Sequence, residues 1–197
     1  MTTPVRGRPR SAQVDAAILE AARELLASQG YARMTVEAVA ARAGVGKAAI
    51  YRRYPGKPDL AAAAVAGLSA AFALPDTGSV RGDVLTMLRE FRGLMERFHG
   101  MPVVATMLAE QGHNPELLER FREWVIRPRR AMMQQVLRRG VERGELRADA
   151  DLELVGEMLV GSYFARHLAG LPVPRNWAER VVDVVLGGIA VRPVAGT

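Results

Sequence analysis

The sequence predicts an all-α protein of about nine helices, with a small N-terminal three-helix domain and a larger C-terminal helical one. Three observations carry this prediction. Apolar residues recur at three- and four-residue spacing through most segments, the period of a helix with one buried face. No segment alternates as a strand does, and no internal repeat is present. Gly and Pro fall where such helices would end, at Gly30, Gly44, Pro55-Gly56, Pro75, Gly100, Gly144 and Gly170. The expected organisation is an arm over residues 1–10, a first domain over 11–57, a second over 58–191 and a tail over 192–197.

Residues 1–10 form a basic arm rich in Pro, Gly and Arg, expected to be disordered alone. Arg6-Gly7-Arg8-Pro9 matches the core of an AT-hook, an extended segment that lies in a narrow A·T minor groove and inserts arginines there. Arg6 and Arg8 are therefore candidate DNA contacts, with a plain solvated tail as the alternative. Ser11 to Ser28 is the first helix, with Val14, Ile18, Ala21, Ala22 and Leu25 on one face and Gly30 at its end.

Thr35 to Leu60, TVEAVAARAGVGKAAIYRRYPGKPDL, is the stretch around which the chain is organised. Thr35 is suited to cap a helix, and Met34 and Val39 to clasp its first turn from either side. Gly44 ends it in the left-handed region, and a second helix runs from near Gly46 to Tyr54. Helix, short turn and helix is the helix-turn-helix, whose second helix enters the DNA major groove. Ile50 and Tyr54 point inward with Val45. Lys47, Ala48, Tyr51 and Arg52 make an outer face suited to phosphates and base edges; a merely solvated face is the bland alternative.

Charge agrees with the first reading. Residues 1–60 hold ten Lys and Arg against five Asp and Glu, so five of the chain's six net positive charges sit in its first third. That is the footprint of a polyanion-binding domain. Lys47 and Lys57, the only lysines beside 25 arginines, both fall in the motif.

VGKAAIYRRYPGKPDL resembles the signature of the tetracycline-repressor (TetR) family of bacterial regulators, V-S-K-G-T-L-Y-x-Y-F-x-x-K-x-x-L. Val45, Lys47, Tyr51, Lys57 and Leu60 match it, and Ile50 and Tyr54 are conservative replacements. Thr35, Val39, Ala40 and Ala43-Gly44 are similar to the family's first helix-turn-helix element. The resemblance covers about the first third of the chain. It implies phosphate contacts from Thr35, Tyr51 and Lys57 and base-facing positions for Lys47, Ala48 and Arg52. Gly46 and Ala49 depart from it, standing where small hydroxyl residues are usual, so any contact made through those hydroxyls is lost.

The remaining helices follow from the same punctuation. Pro58 to Ala73 is alanine-rich, and Ser79 to His99 carries Val84, Leu88, Phe91, Met95 and Phe98 on one face. Gly100 and Pro102 should break it before a short apolar helix to Gln111. Asn114-Pro115 should cap a long helix ending at Gly144, kinked by Pro128 near Trp124. Asp151 should cap the next, to Gly170, and Asn176 with Glu179 a last one, Trp177 to about Ile189. The last two helices are apolar beyond one face and need covering on each. A homodimeric four-helix bundle meets that need and is how the family dimerises; Val160, Phe164, Val181 and Val185 are the expected interface residues.

Seven of nine methionines follow residue 80, among aromatics on the same helices. Met87, Phe91, Met95, Phe98, Met107, Trp124, Met132 and Tyr163 are candidate lining residues of an apolar effector pocket like the family's inducer cavities; ordinary core filling is the alternative. Other classes fit poorly. Gly44-Val45-Gly46-Lys47 lacks both the first glycine and the hydroxyl of a phosphate loop. There is no G-x-S-x-G, and His99, His113 and His167 are too scattered to suggest a metal. No catalytic residue, cofactor or metal is expected. With no cysteine, no apolar run of membrane length and no signal-like start, the expected location is the cytoplasm. The expected function is a DNA-binding transcriptional regulator, most simply a repressor released from a palindromic operator by a small apolar or aromatic ligand. A sequence-tolerant architectural DNA-binding dimer without an effector is the alternative.

Overall fold

The structure, a computed structural model, describes residues 8–66, 73–97 and 100–190, with side chains from residue 12 onward. Among them are ten α-helices: α1 (Arg8–Arg33), α2 (Val36–Ala43), α3 (Lys47–Tyr51), α4 (Lys57–Ala66), α5 (Val80–Arg97), α6 (Gly100–Ala109), α7 (Pro115–Phe121), α8 (Arg127–Glu142), α9 (Leu152–Leu168) and α10 (Trp177–Gly187). No strand occurs among the described residues; Leu146 and Ala190 make one isolated bridge. The chain divides into two compact units, Met1–Ala71 with Leu94–Arg127, and Phe72–Gly93 with Pro128–Thr197.

The first unit is built on α1. Gly30 breaks that helix, as its position predicts, by adopting φ 76°. Ile18, Leu26, Met34, Val39, Ile50 and Leu60 are completely or almost completely buried in one cluster with Met107 and Leu117. Helices α4, α6 and α7 thus complete the core that α1, α2 and α3 begin. Three short helices alone bury too little apolar surface for a secure domain, and the added helices supply it. Truncating a side chain such as Ile50 to Ala would cost about 2–5 kcal/mol.

In the second unit Val84, Leu88, Val136, Leu137, Leu159, Trp177 and Val182 are buried. Gly140 permits a close approach, because a Cβ there would come within 2.8 Å of the Val80 side chain. Asp83 is fully buried yet well partnered: it accepts from the Thr77 N–H at 2.6 Å, the Thr77 hydroxyl at 2.8 Å and Arg139 at 3.0 Å.

Several helix ends differ from expectation for identifiable reasons. The α1 backbone is helical from Arg8 rather than Ser11. The short apolar helix α6 starts at Gly100, two residues before the expected Pro102, so that Pro102 lies in its first turn, where a missing proline N–H costs nothing. Asn114 does not cap α7 with its side chain, which donates to Glu110. The Asn176–Glu179 capping box does not form, since Glu179 accepts from Arg89 at 2.7 Å. Ahead of Pro128 the helix widens into a π-helical turn over Arg122–Ile126, in which the Arg127 N–H reaches the Arg122 carbonyl.

Candidate nucleic-acid interface

The helix-turn-helix is built from local signals that work as the sequence indicates. Thr35 is extended (φ −122°, ψ 154°), and its Oγ accepts the Ala38 N–H at 3.1 Å. That bond uses the hydroxyl as an acceptor and leaves its proton for an outside partner. At the other end Gly44 takes φ 67°; its N–H bonds Ala41 and the Val45 N–H bonds Ala40 at 3.0 Å. This doubly bonded glycine stop sets the direction in which α3 departs. Gly46 occupies the N-cap of α3 and, having no side chain, leaves the first amides of that helix without a side-chain acceptor.

Helix α3 stops at Tyr51, three residues before the expected end, but the inward residues keep their direction. Ile50 is 1% exposed. The Tyr54 hydroxyl donates to Asp15 Oδ1 at 2.8 Å, and Arg53 Nε lies 3.4 Å from the same oxygen. Burial, reinforced by the Asp15 carboxylate, pushes the Tyr54 phenol well above its ordinary range. The residues that follow α3 are thereby joined to α1 by a polar contact as well as by core packing.

The outer face is exposed along its length: Gly46, Lys47, Ala48, Tyr51 and Arg52 all face solvent. Tyr51 is 51% exposed, far above the usual value for a ring that serves a core. Lys47 Nζ donates to Glu37 Oε1 at 3.1 Å across the turn. Lys57 is more enclosed: its ammonium sits 4.2 Å from the centre of the Tyr31 ring and donates to the Ala32 carbonyl at 3.3 Å. Burial lowers its pKa from the usual lysine value and raises that of Tyr31 to about 12. Arg6 lies outside the described residues, and Arg8 is described only by its helical backbone. Sequence reasoning missed Glu37, Asp15 and Tyr31; the helical offsets of Glu37 and Asp15 put them near nothing, and only the crossing of helices brings them to their partners.

The eight candidate pocket residues do not form one described cluster. Met95, Met107 and Trp124 belong to the first unit; Met87, Phe91, Met132 and Tyr163 belong to the second; Phe98 lies outside the described residues. Met107 is fully buried core, and Trp124 is exposed with the Arg120 guanidinium over its ring. Phe91 and Tyr163 do meet, edge to face at 5.2 Å, and Trp177 packs on Tyr163 at 5.3 Å. The Trp177 indole N–H donates to the Ser162 hydroxyl at 3.1 Å.

Of the expected interface residues, Val181 and Val185 line an apolar groove of about 350 Å³ together with Met158, Trp177 and Val184. Val160 is half-buried, and Phe164 turns partly inward, its ring 6.0 Å from Phe91 and 6.1 Å from Tyr163. The exposed apolar row on α9 lies one step around the helix from them: Leu154, Met158, Gly161, Ala165 and Leu168. No helix among the described residues is long and apolar enough to cross a membrane.

Comparison with known proteins bears on both parts of the chain. Residues 18–64 match the family model "Bacterial regulatory proteins, tetR family", and residues 74–185 match "Tetracyclin repressor-like, C-terminal domain". An uncharacterized HTH-type transcriptional regulator of Bacillus subtilis is 33% identical over 83% of this chain and 82% of its own length. A DNA-binding transcriptional repressor TetR of Mycobacteroides abscessus is 30% identical over 96% of this chain and 98% of its own. Among solved structures, a TetR family transcription regulator superposes with TM-score 0.71 at 32% identity, covering 92% of this chain and all of the other.

Proposed function

The chain belongs to the TetR family of helix-turn-helix transcriptional regulators, and from that premise we propose that it is a repressor which binds a palindromic operator as a homodimer and leaves it when a small apolar or aromatic ligand binds. The observation that carries the DNA half of this reading is the split character of α3. Ile50 is sealed in the core while Lys47, Tyr51 and Arg52 project outward on the next faces. A helix anchored on one side and bearing two cations and a phenol on the other is equipped to enter a major groove. Thr35 and Lys57 flank it with donors for phosphates, and Arg6 and Arg8 would follow the minor groove beside it.

The regulatory half rests on the second unit. The exposed apolar row of α9, with the exposed Val184 of α10, is suited to a symmetric partner, which would hold two reading heads about 34–36 Å apart. The cluster of Phe91, Tyr163, Phe164 and Trp177 supports an apolar or aromatic effector. Such a ligand would act through its differential affinity for the two head spacings, typically about 1–3 kcal/mol of coupling.

Selection of bound duplexes from a random pool tests the reading. A regulator yields a palindromic sequence bound at least about 10³-fold tighter than random DNA at fixed salt. A pool that enriches no sequence while the protein still binds would favour the architectural alternative.

A further inference from the structure

Resting on the reading that the outer face of α3 meets DNA, we infer that Asp15 is a positioning residue for that face: acting from α1 through Arg53, it fixes the last turn of α3 and hence the direction of Tyr51 and Arg52. The contacts form a chain. Asp15 Oδ1 lies 3.4 Å from Arg53 Nε, and Arg53 Nη1 donates to the Ala49 carbonyl at 2.8 Å, inside α3. The same carboxylate oxygen accepts the Tyr54 hydroxyl at 2.8 Å. The two residues that directly follow Arg52 are thus held by one oxygen of another helix.

Helix α3 needs such a tie. It has five residues, too few to persist by its own hydrogen bonds. Gly46 gives its N-terminus no side-chain cap, and of its residues Ile50 alone is buried. A helix pinned at one residue can still roll about that pin, and an attachment just beyond its last residue stops the roll. The Ala49 carbonyl belongs to the group that a helix end leaves over, and Arg53 supplies its donor. The side chains of Arg53 and Asp15 are 23% and 41% exposed, and an ion pair so placed contributes little to global stability. What this pair decides is geometry. Attraction to phosphates tolerates small displacements, whereas a hydrogen bond to a base edge fails beyond about 3.2 Å. Loosening the end of α3 therefore damages base reading more than charge-driven binding.

Asp15→Asn tests this, since it keeps the shape and an acceptor for Tyr54 but removes the charge that holds Arg53. Affinities of the full chain for its selected operator and for a scrambled duplex of equal length are measured by fluorescence anisotropy at fixed salt. The operator-to-scrambled ratio is expected to fall about tenfold, the order of one lost base contact. A merely structural role would not move that ratio. Partial unfolding lowers both affinities by one factor, and loss of a negative charge raises both. Arg53→Ala should lower the ratio to a similar extent, and Asp15→Asn added to it should change the ratio less than about twofold, because the two residues act in one chain. Two results would overturn the inference: an unchanged ratio in Asp15→Asn, or a fall that persists in full without Arg53. A wild-type protein with no preference for any selected sequence would instead refute the operator reading on which the inference stands.

Discussion

The Lys57 ammonium stands 4.2 Å from the centre of the Tyr31 ring and gives one N–H to the Ala32 carbonyl, so the first residue of α4 is tied to the turn after Gly30. A lysine assigned by its motif to DNA is thus also a structural tie. Its third N–H remains for a phosphate. Lys57→Ala should lower stability by about 0.5–1 kcal/mol, the usual value of a cation over a ring, and weaken operator binding as well. Paired urea melts and anisotropy titrations check this; loss of affinity with no loss of stability would mean that the ring contact contributes nothing.

Lys47 and Arg52 should behave differently, because neither supports the core. Lys47→Ala or Arg52→Ala is expected to cost about 1–3 kcal/mol of operator binding with the unfolding midpoint almost unchanged. Early unfolding of either variant would assign this face a structural role.

Tyr31 makes a pH prediction. Burial raises its pKa from 10.0 to about 12 in the folded protein, with Glu110, Glu116 and Asp59 adding to the shift. Below pH 10 the phenol is protonated in both folded and unfolded chains, and its stabilising effect is fully present. Between pH 10 and about 12 the unfolded chain ionises first, so stability falls as pH rises, by at most about 1.4 kcal/mol per pH unit. Tyr31→Phe keeps the ring and removes this titration. Its urea midpoint should decline less steeply than wild type across that window; an identical decline would remove Tyr31 as a cause and leave Tyr54, which shifts in the same direction.

Asp83 is the buried charge of the second unit. Arg139 lies 3.0 Å and Arg143 3.5 Å from its carboxylate, and Thr77 donates twice to it. Asp83→Ala removes the acceptor shared by all three partner residues and should cost about 3 kcal/mol or more, read as a lowered denaturation midpoint. A variant as stable as wild type would show that Asp76, which also pairs with both arginines, suffices.

How far the sequence discloses this molecule depends on the range of the signal. Thr35, Gly44 and Asp151 act within one helical turn, and each does what its residue type implies: Thr35 and Asp151 accept the N–H three residues on, and Gly44 turns left-handed. Asn114 and Asn176 show where local reasoning stops. Both have capping chemistry, but Glu110 takes the first side chain, and Arg89 takes the Glu179 that would complete the second box. The solvent-facing side of the second motif helix was legible because Lys47, Ala48, Tyr51 and Arg52 follow one another within a single short segment, and all four are exposed. The pocket residues were not separable from core, since Met107 and Tyr163 carry the same apolar signature as any buried side chain. The facing of α9 was missed by one step: Val160 and Phe164 share a side, but the aromatic cluster claims part of it and turns Met158, Gly161 and Ala165 outward.

That step decides how the proposed dimer is best tested. On α9 the exposed residues Leu154, Met158, Gly161, Ala165 and Leu168 follow at spacings of four and three, the repeat of a helix seam. On α10 Val184 is 77% exposed beside Val181 and Val185. Apolar rows of this length on water are a sign of a partner surface, and the two small residues on α9 allow a second helix to come close. If the rows meet their symmetry mates, a carboxylate at residue 184 would be taken out of water with only Arg166 and Arg180 of the same groove to offset it, at a cost of up to several kcal/mol per ion and twice per dimer. Val184→Glu is preferable to Phe164→Glu, because Phe164 touches Phe91 and Tyr163 within its own chain and its loss would unfold as readily as dissociate. Wild type should sediment at twice the chain mass at micromolar concentration, and Val184→Glu at the chain mass with an unchanged helical spectrum. Operator binding should then fall steeply although Lys47, Tyr51 and Arg52 are intact, since one head makes half the contacts. A wild-type monomer, or a Val184→Glu protein that stays dimeric, would show that copies of this chain do not meet through these helices.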